Sequence, residues 1–565
     1  MTKLVNDPRE FVSQALAGYT AAQSGRVLAV PDAGVVRAAQ APEGQVAVVM
    51  GGGSGHFPAF AGWVGVGFGH GAVCGNIFSS PSAEQIMAVS KAASNGGGIL
   101  FAPINYAGDI LHFGAAAVKL REEGVDVRMR AVTDDIVSAP TEDYLDRRGI
   151  AGAFIVLKMA CAAAEAGQSL DEVERVMVAA NRATRSFGAA FGGCTLPGAK
   201  EPMFAIPPGR VAVGLGIHGE PGTAEAVCGT ADQMADLLVD GLFEERPPEA
   251  GRRVAVLVNG LGATKYDELS IIYRRVAERL ADAGMEPVAP VVGEQVTSLD
   301  MAGLSVSFTY LDDELETLWL APADVASFTR GQPPLRASRA SVPVGVAERP
   351  PVRPGSPGSA ALAVELAAKI GLARDILAAN EDRLGAIDAV AGDGDHGAQM
   401  VVGCTAAADA VAVVLPLGPG LGTVLAEAAR AWSERAGGTS GALWGAGLEA
   451  AARELGDEVV PDAAGAVRAV RAFADGIVSR GGARAGDKTM VDSVLPFASA
   501  LAARVEAGDG LAGAWRAAAR AADAAAQATA AFSSKRGRSK LHGDRSIGTP
   551  DPGAASFALI VLGTG

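Results

Sequence analysis

The chain has 565 residues, 49% of them apolar and 20% charged, and a formal net charge of −15. These values suit a globular chain of two to four domains and argue against a general nucleic-acid or anionic-membrane surface. Five cysteines (Cys74, Cys161, Cys194, Cys228 and Cys404), odd in number and without a CxxC pair, argue for a reduced, cytoplasmic setting. The first residues lack an apolar signal segment, and no uninterrupted apolar run is long enough to predict a membrane span.

Residues 45–50 predict a short buried strand running into Gly51-Gly52-Gly53-Ser54-Gly55-His56. A glycine-rich turn after a strand can aim backbone N–H groups at an anion or polar ligand. The spacing fits neither the Walker loop nor the dinucleotide fingerprint. A second strand, 98–103, ends at Asn105-Tyr106-Ala107-Gly108-Asp109, and a helix follows over 110–123. A third strand, 125–132, reaches Thr133-Asp134-Asp135. Strands alternating with helices predict a parallel sheet, whose ligands gather beyond the strand carboxyl ends. His56, Asp109 and Asp134/Asp135 all lie at such ends. Helices are expected over 149–166 and 170–186. A strand at 211–217 leads to His218-Gly219-Glu220-Pro221-Gly222, where the imidazole is either a ligand group or a satisfied structural residue. A strand at 254–258, a helix at 267–283 and a strand at 305–311 complete an α/β block over 1–330, expected as two subdomains.

Residues 331–358 carry seven prolines and few apolar groups, which predicts a linker spanning roughly 30 Å when flexible. Helical periodicity then dominates 359–565: 360–380, 424–435, 442–455, 463–479, 493–507 and 511–531. Glycine-rich loops separate these helices, so an all-α domain shaped as a helical barrel is expected. Its most unusual stretch is 386–397, which places Asp388, Asp393 and Asp395 within eight residues. Their repulsion calls for a cation, and an all-oxygen set suits Mg²⁺ shared with phosphates; an acidic surface turn is the competing reading. Gly437-Gly438-Thr439-Ser440 offers amides and hydroxyls to phosphate, Arg538 and Arg545 offer guanidinium clamps, and Gly486 to Asp492 and Asp551-Pro552-Gly553 complete the polar loops.

The chain resembles the single-chain, ATP-dependent dihydroxyacetone kinases over nearly its whole length. The N-terminal block is similar to their ketose-binding K domain through Gly51 to His56, Ala72 to Pro81, Asn105 to Asp109 and Gly216 to Gly222. The C-terminal block is similar to their nucleotide-binding L domain through Gly392 to Gly397, Gly437 to Gly441, Gly486 to Asp492 and Gly548 to Gly553. The resemblance implies a short ketose held as a hemiaminal on His218, which selects carbonyl compounds over polyols. It implies that His56 and Asp109 position and deprotonate the attacking hydroxyl, with Gly53, Ser54 and Gly55 lining the substrate. It implies two Mg²⁺ ions on ATP held by Asp388, Asp393 and Asp395. Nucleotide contacts are implied at His396, Gly397, Ala398, Gln399, Gly437, Gly438, Thr439, Ser440, Gly481, Met490, Arg538, Asp551, Pro552 and Gly553. A homodimer is implied in which one subunit's L domain covers its partner's K domain.

Two departures from the family pattern stand out. Phe57 replaces a usual Glu and Ile104 a usual Lys. Read as compensated losses in one buried pocket, they predict a less polar site suited to a larger ketose, such as the four-carbon erythrulose or a branched pentulose. The same fold leaves two other readings: a lyase that cyclises FAD to a riboflavin phosphate, and a non-catalytic ligand-sensing coregulator. The intact aspartate set argues against the coregulator.

Overall fold

The computed structural model describes residues 3–220, 222–227, 229–339, 352–390, 392, 394–536 and 546–565. The chain divides into two units, Met1–Val346 and Ala347–Gly565.

The first unit is built on two large sheets. After helix α1 (Phe11–Ala22) come β1 (Val27–Val30), β2 (Gly34–Arg37), β3 (Ala47–Ser54), β4 (Gly71–Ile77), α2 (Ala83–Ala93), β5 (Ile99–Phe101), α3 (Ala107–Glu122) and β6 (Val127–Met129). The sheet order is β1-β2-β4-β3-β5-β6. From β4 to β6 the pairs are parallel, as the strand–helix alternation predicts, while β1 and β2 add an antiparallel edge. Ile86 and Val89 of α2 and Phe113 and Leu120 of α3 cover one face. Helix α4 (Ala153–Glu165) belongs to the core that contains Val48, Met50 and Leu100.

The second sheet departs from the parallel expectation. It contains β7 (Thr184–Ala190), β8 (Arg210–Val213), β9 (Ala224–Val227), β10 (Arg253–Gly260), β11 (Glu286–Pro287), β12 (Val291–Gly293) and β13 (Gly303–Tyr310). The pairs β10–β13, β13–β7, β7–β8 and β8–β9 are all antiparallel. Helix α5 (Leu170–Ala183) is shorter than the helix expected over 170–186, because Thr184 to Ser186 open β7. There Thr184 and Thr309 pair through their hydroxyls at 2.8 Å, and Ser186 donates to Ser307 at 2.7 Å. Cross-strand hydroxyl pairs of this kind need a partner strand that local periodicity does not contain. Helices α6 (Ala231–Glu244) and α7 (Tyr266–Asp282) cover this sheet. In α7, Leu269, Ile272, Val276 and Leu280 form one buried stripe at helical spacing. Helix α8 (Asp313–Leu320) packs on α4.

The second unit is helical: α9 (Pro357–Ala379), α10 (Glu381–Asp388), α11 (His396–Val414), α12 (Leu421–Ala436), α13 (Gly438–Leu455), α14 (Ala463–Gly481), α15 (Val491–Glu506), α16 (Leu511–Ala528) and α17 (Pro552–Gly563). Among the described residues α9 and α11 to α17 form a closed ring. Each helix touches the next, and α17 returns to α9, with Lys369 of α9 donating to the carbonyl of Thr564. Short connections between neighbours alternate ends. Segments 380–390, 394–395, 437, 482–490, 529–536 and 546–551 therefore share one end, and 415–420, 456–462 and 507–510 the other.

Two expectations fail here for physical reasons. The stretch 437–441 is not a loop, since α13 begins at Gly438. Gly437 and Gly438, with φ +60 and +55, make the tight turn between α12 and α13. Further along α13, glycines admit neighbouring helices: a Cβ on Gly445 would lie 2.9 Å from Cβ of Ser433, and one on Gly447 would lie 2.8 Å from the Phe473 ring. Helix α11 was not among the helices singled out within the helical block. With its 3-10 extension, His396–Leu417 is long and apolar enough, by length and composition, to cross a membrane. In the ring, Met400, Cys404, Ala407 and Val411 bury one side of it.

Candidate functional site

In the first unit the glycine-rich end of β3 brings His56 to His218. His56 is 1% exposed and His218 is 4% exposed. Their Nε2 atoms lie 3.1 Å apart. Each Nδ1 faces an oxygen: His56 faces the Thr297 carbonyl at 2.8 Å, and His218 faces Glu220 Oε1 at 3.0 Å. Facing oxygen acceptors, both Nδ1 atoms carry protons. The remaining Nε2–Nε2 contact then needs one further proton, so the pair is satisfied when it carries three in all. The rings are boxed by aromatics. Phe78 stacks on His56 at 5.0 Å, and Tyr106 meets His218 edge-on at 4.5 Å.

The glycines of the loop make room for these neighbours. A Cβ on Gly53 would sit 2.6 Å from the Ser79 amide nitrogen, and one on Gly52 would lie 3.7 Å from Asp109 Oδ1. Gly55 adopts φ +103, and Ser54 donates to the Gly75 carbonyl at 2.6 Å. Asp109 lies in the first turn of α3 and is buried. Gly53, Ser54, Gly55, His56, Asp109 and His218 thus come from three separate chain segments.

The two unusual residues differ in setting. Phe57 is 52% exposed and meets Tyr19 of α1 edge-on at 5.4 Å. With Gly52 to Gly55, Leu16, Phe60 and Cys74 it lines a cavity of about 710 Å³. Ile104 is 3% exposed, bridges to Val132 and crowds Gly149. The reading of Phe57 and Ile104 as a compensated buried pair is therefore corrected. A charge at position 57 would keep much of its hydration, so loss of Lys at 104 would not leave it stranded.

Sequence reasoning missed the support behind His218. Glu220 Oε2 also accepts the backbone N–H of His218 at 3.0 Å. Arg148 Nη1 lies 4.0 Å from Glu220 Oε2, and Asp135 takes two hydrogen bonds from Arg148, at 3.0 and 2.7 Å. Burial opposes the Arg148 charge, but Asp135 and Glu220 outweigh it and hold the guanidinium above its usual range. Asp134 caps the approach to α4 through the Ile150 and Gly152 amides, both at 2.9 Å, and burial pushes it up to about 6. The tandem Asp134-Asp135 was the available signal, but its arginine partner is not local.

In the second unit the predicted motifs converge on one end of the ring. Asp388 closes α10, and its Oδ2 accepts from Gly394 N at 2.9 Å and His396 N at 3.4 Å. Asp395 precedes α11 and accepts from Gln399. Burial, then the Asp388 charge, raises the Asp395 carboxyl well above its ordinary range. Asp551 caps α17 through Ala554 N at 2.7 Å and is raised by burial, with Asp492 and Asp388 adding to it. Asp492 and Lys488 are additions that the motif Gly486 to Asp492 contained without revealing. Asp492 accepts the amides of Gly486 and Thr489, and buried Lys488 reaches the carbonyls of Phe532 and Ser546. His396 bonds Ser556 Oγ at 3.0 Å, and burial lowers its pKa. Gly397 and Ala398 lie in the first turn of α11, Thr439 and Ser440 in that of α13, and Gly481 ends α14. Gly437, with φ +60, precedes α13. Met490 starts α15 and packs against Gly553, next to Pro552. Asp393 and Arg538 lie outside the described residues, as does Arg545.

Buried carboxylates gathered this closely suit a divalent cation, and the donor set is all oxygen. An α/β unit with a closed imidazole pair, joined in sequence to a helical ring with one acidic end, is the architecture of a two-domain small-molecule kinase. Residues 17–327 match the Dak1 domain and residues 390–564 the DAK2 domain. The chain is 50% identical to L-erythrulose 1-kinase of Mycolicibacterium smegmatis, over 100% of this chain and 99% of that one. It is 48% identical to D-erythrulose kinase of the same organism, over 99% of this chain and 97% of that one. The crystal structure of the dihydroxyacetone kinase of C. freundii is similar, with TM-score 0.54 and 32% identity over 99% of this chain and 98% of that one. A second structure of that enzyme, in complex with AMP-PNP and Mg²⁺, gives TM-score 0.53 and 31% identity, over the same shares of both chains. The chain belongs to the dihydroxyacetone kinase family, with Dak1 and DAK2 domains in one polypeptide.

Proposed function

We propose that this kinase transfers the γ-phosphoryl group of ATP to a terminal hydroxyl of a short ketose, and that the ketose is a four-carbon erythrulose. The observation that carries the chemistry is the orientation of His218. Glu220 holds its Nδ1–H, which leaves the Nε2 lone pair facing His56. The ketose is supported by the 50% and 48% identity to kinases of L- and D-erythrulose.

The proton count of the pair gives the first step. His56 carries the third proton on Nε2, directed at His218. When a ketone enters, His218 Nε2 forms a bond to the carbonyl carbon. The π pair of the broken C=O bond takes the His56 proton and becomes a hydroxyl. His56 ends neutral and the His218 ring ends cationic, beside the Glu220 carboxylate. A polyol offers no such carbon. Asp109 then accepts the proton of the terminal hydroxyl as that oxygen attacks phosphorus.

Asp388, Asp393 and Asp395 would hold Mg²⁺, two ions by the family pattern, with the ATP phosphates, and the metal would offset charge on the transferred group. Arg538 and the first turns of α11, α13 and α17 would hold the nucleotide. We place this chemistry in the cytoplasm, in keeping with the free thiols of Cys74, Cys161, Cys194 and Cys404. The working form is read as a homodimer in which each nucleotide domain serves the partner's ketose domain.

A coupled ADP-release assay with MgATP over three- to five-carbon ketoses tests the reading. Erythrulose should give the highest kcat/KM and glycerol none. His218→Ala should lower ketose turnover at least about 10²-fold; near-wild-type turnover in that variant would remove the covalent step. A second reading, FAD cyclisation, draws on the human triokinase/FMN cyclase, 31% identical over 99% of this chain and 98% of that one. Release of cyclic riboflavin phosphate from FAD and a divalent metal, without ketose phosphorylation, would favour it.

A further inference from the structure

We propose that Arg148 is a positioning residue for the ketose step: anchored by Asp135, it keeps Glu220 ionised and so holds His218 in its attacking orientation. This rests on the reading of His218 as the covalent anchor.

The geometry forms a chain of charges. Asp135 grips Arg148 through Nε and Nη2 at 3.0 and 2.7 Å, both donated to one carboxylate oxygen. The same Nη2 also reaches the Gly214 carbonyl at 3.2 Å, and the Arg148 amide is held by Ser138 Oγ at 2.8 Å. This fixes the guanidinium so that Nη1 faces Glu220 at 4.0 Å, with no hydrogen-bond acceptor for Nη1 among the described residues. At that separation the contact is charge against charge rather than a hydrogen bond. Glu220, 5% exposed, spends one oxygen on the His218 ring and the other on the His218 amide.

Gly216 shows that the approach is built in. A Cβ there would lie 2.0 Å from Glu220 Oε2 and 2.7 Å from Arg148 Nη1. Any side chain would wedge the pair apart, which gives the glycine before Ile217-His218 a physical reason. Charged and titratable groups that face Glu220 include His218 and Arg148, with Asp135 beyond the arginine. Tyr106 and His56 lie against the far side of the His218 ring.

The consequence is a defined protonation requirement. If Glu220 takes a proton, its two oxygens can no longer both accept from His218, and Nδ1–H loses its fixed partner. The Nε2 lone pair then loses its aim at the carbonyl carbon. Arg148 moves that event to lower pH, because an adjacent cation favours the carboxylate.

The test is the pH profile of kcat/KM for ketose in the full-length enzyme, with carbonyl-labelled ketose followed by carbon NMR. In wild type, binding should convert the carbonyl signal to that of a tetrahedral carbon. Arg148→Gln should raise the acid limb by about one pH unit. The loss should approach about tenfold at pH values below the wild-type limb and should shrink as pH rises, while KM for MgATP stays within twofold. Tetrahedral-carbon occupancy in that acid range should fall in parallel, and Arg148→Lys should recover part of the shift. A purely structural role would lower activity at every pH alike. If Arg148→Gln does not fold, Asp135→Asn keeps the guanidinium but frees it, and should move the limb the same way by less. A folded variant of either kind with the wild-type limb and occupancy overturns the proposal. Absence of the tetrahedral carbon in wild type would instead overturn the covalent reading of His218.

Discussion

Lys158 is a charged residue with no charged use. It lies in α4, fully buried, with Nζ donating to the Leu318 carbonyl at 3.1 Å. Burial lowers its pKa from 10.5 to about 8. Between those values the unfolded chain binds a proton that the folded chain lacks, so folding strengthens as pH rises from 8 towards 10.5. Below 8 the whole penalty is present, about 3 kcal/mol for a shift of this size. Lys158→Met removes the penalty and gives up one hydrogen bond, so it should stabilise the protein by roughly 2 kcal/mol at pH 7. Denaturant melts at pH 7 and 10 should show the gain shrinking at the higher pH; a constant or absent gain would refute the assignment. Lys158 also marks what the sequence hides at this scale. Its helix was legible, but burial of its amine is set by α8, far along the chain. His56, Asp109 and His218 were legible because each closes a polar turn after a strand. Glu220 lay inside a recognised motif, yet its role depends on Arg148 and Asp135, which no local pattern joins to it.

At the scale of elements, strand ends and helix starts carry the chemistry. Asp388 shows how one side chain shapes a turn: it accepts two amides across the α10–α11 connection and lends its charge to the acidic end of the ring. Asp388→Asn keeps an oxygen for those amides and removes the charge. MgATP-dependent turnover should fall about 10²-fold or more, while conversion of labelled ketose to the tetrahedral form persists. Parallel loss of both would mean that the turn, not the charge, matters. The helical periodicity of α9, α12, α14, α15 and α16 was readable to within a few residues. The failures came where small residues carry two meanings. The residues 436–441 read as a loop because of their glycines, yet Gly437 and Gly438 confine the turn to a single step and α13 already begins at Gly438. Thr184 to Ser186 continued a helical pattern, yet pairing with β13 claimed them.

At the scale of the whole molecule, two units with separate cores must cooperate on one phosphoryl transfer. The proposed exchange of domains between subunits has a direct test. A mixed dimer, with His218→Ala in one chain and Asp388→Asn in the other, would retain one intact pairing of ketose and nucleotide domains. Purified through two different tags, it should show about half the wild-type turnover; if each chain serves only itself, it should show none. The closed ring of helices has a separate consequence. Its chain order is also its spatial order, and among the described residues the seam lies between α17 and α9. Such a barrel resembles a stave cask whose hoop could be opened at another joint. Joining the seam and cutting at 456–462, away from the acidic end, would preserve every neighbour relation, whereas cutting at 482–490 would sever a loop of the acidic end. Circular permutation could therefore renumber this domain without redesigning it, provided that the cut spares the end where the carboxylates meet.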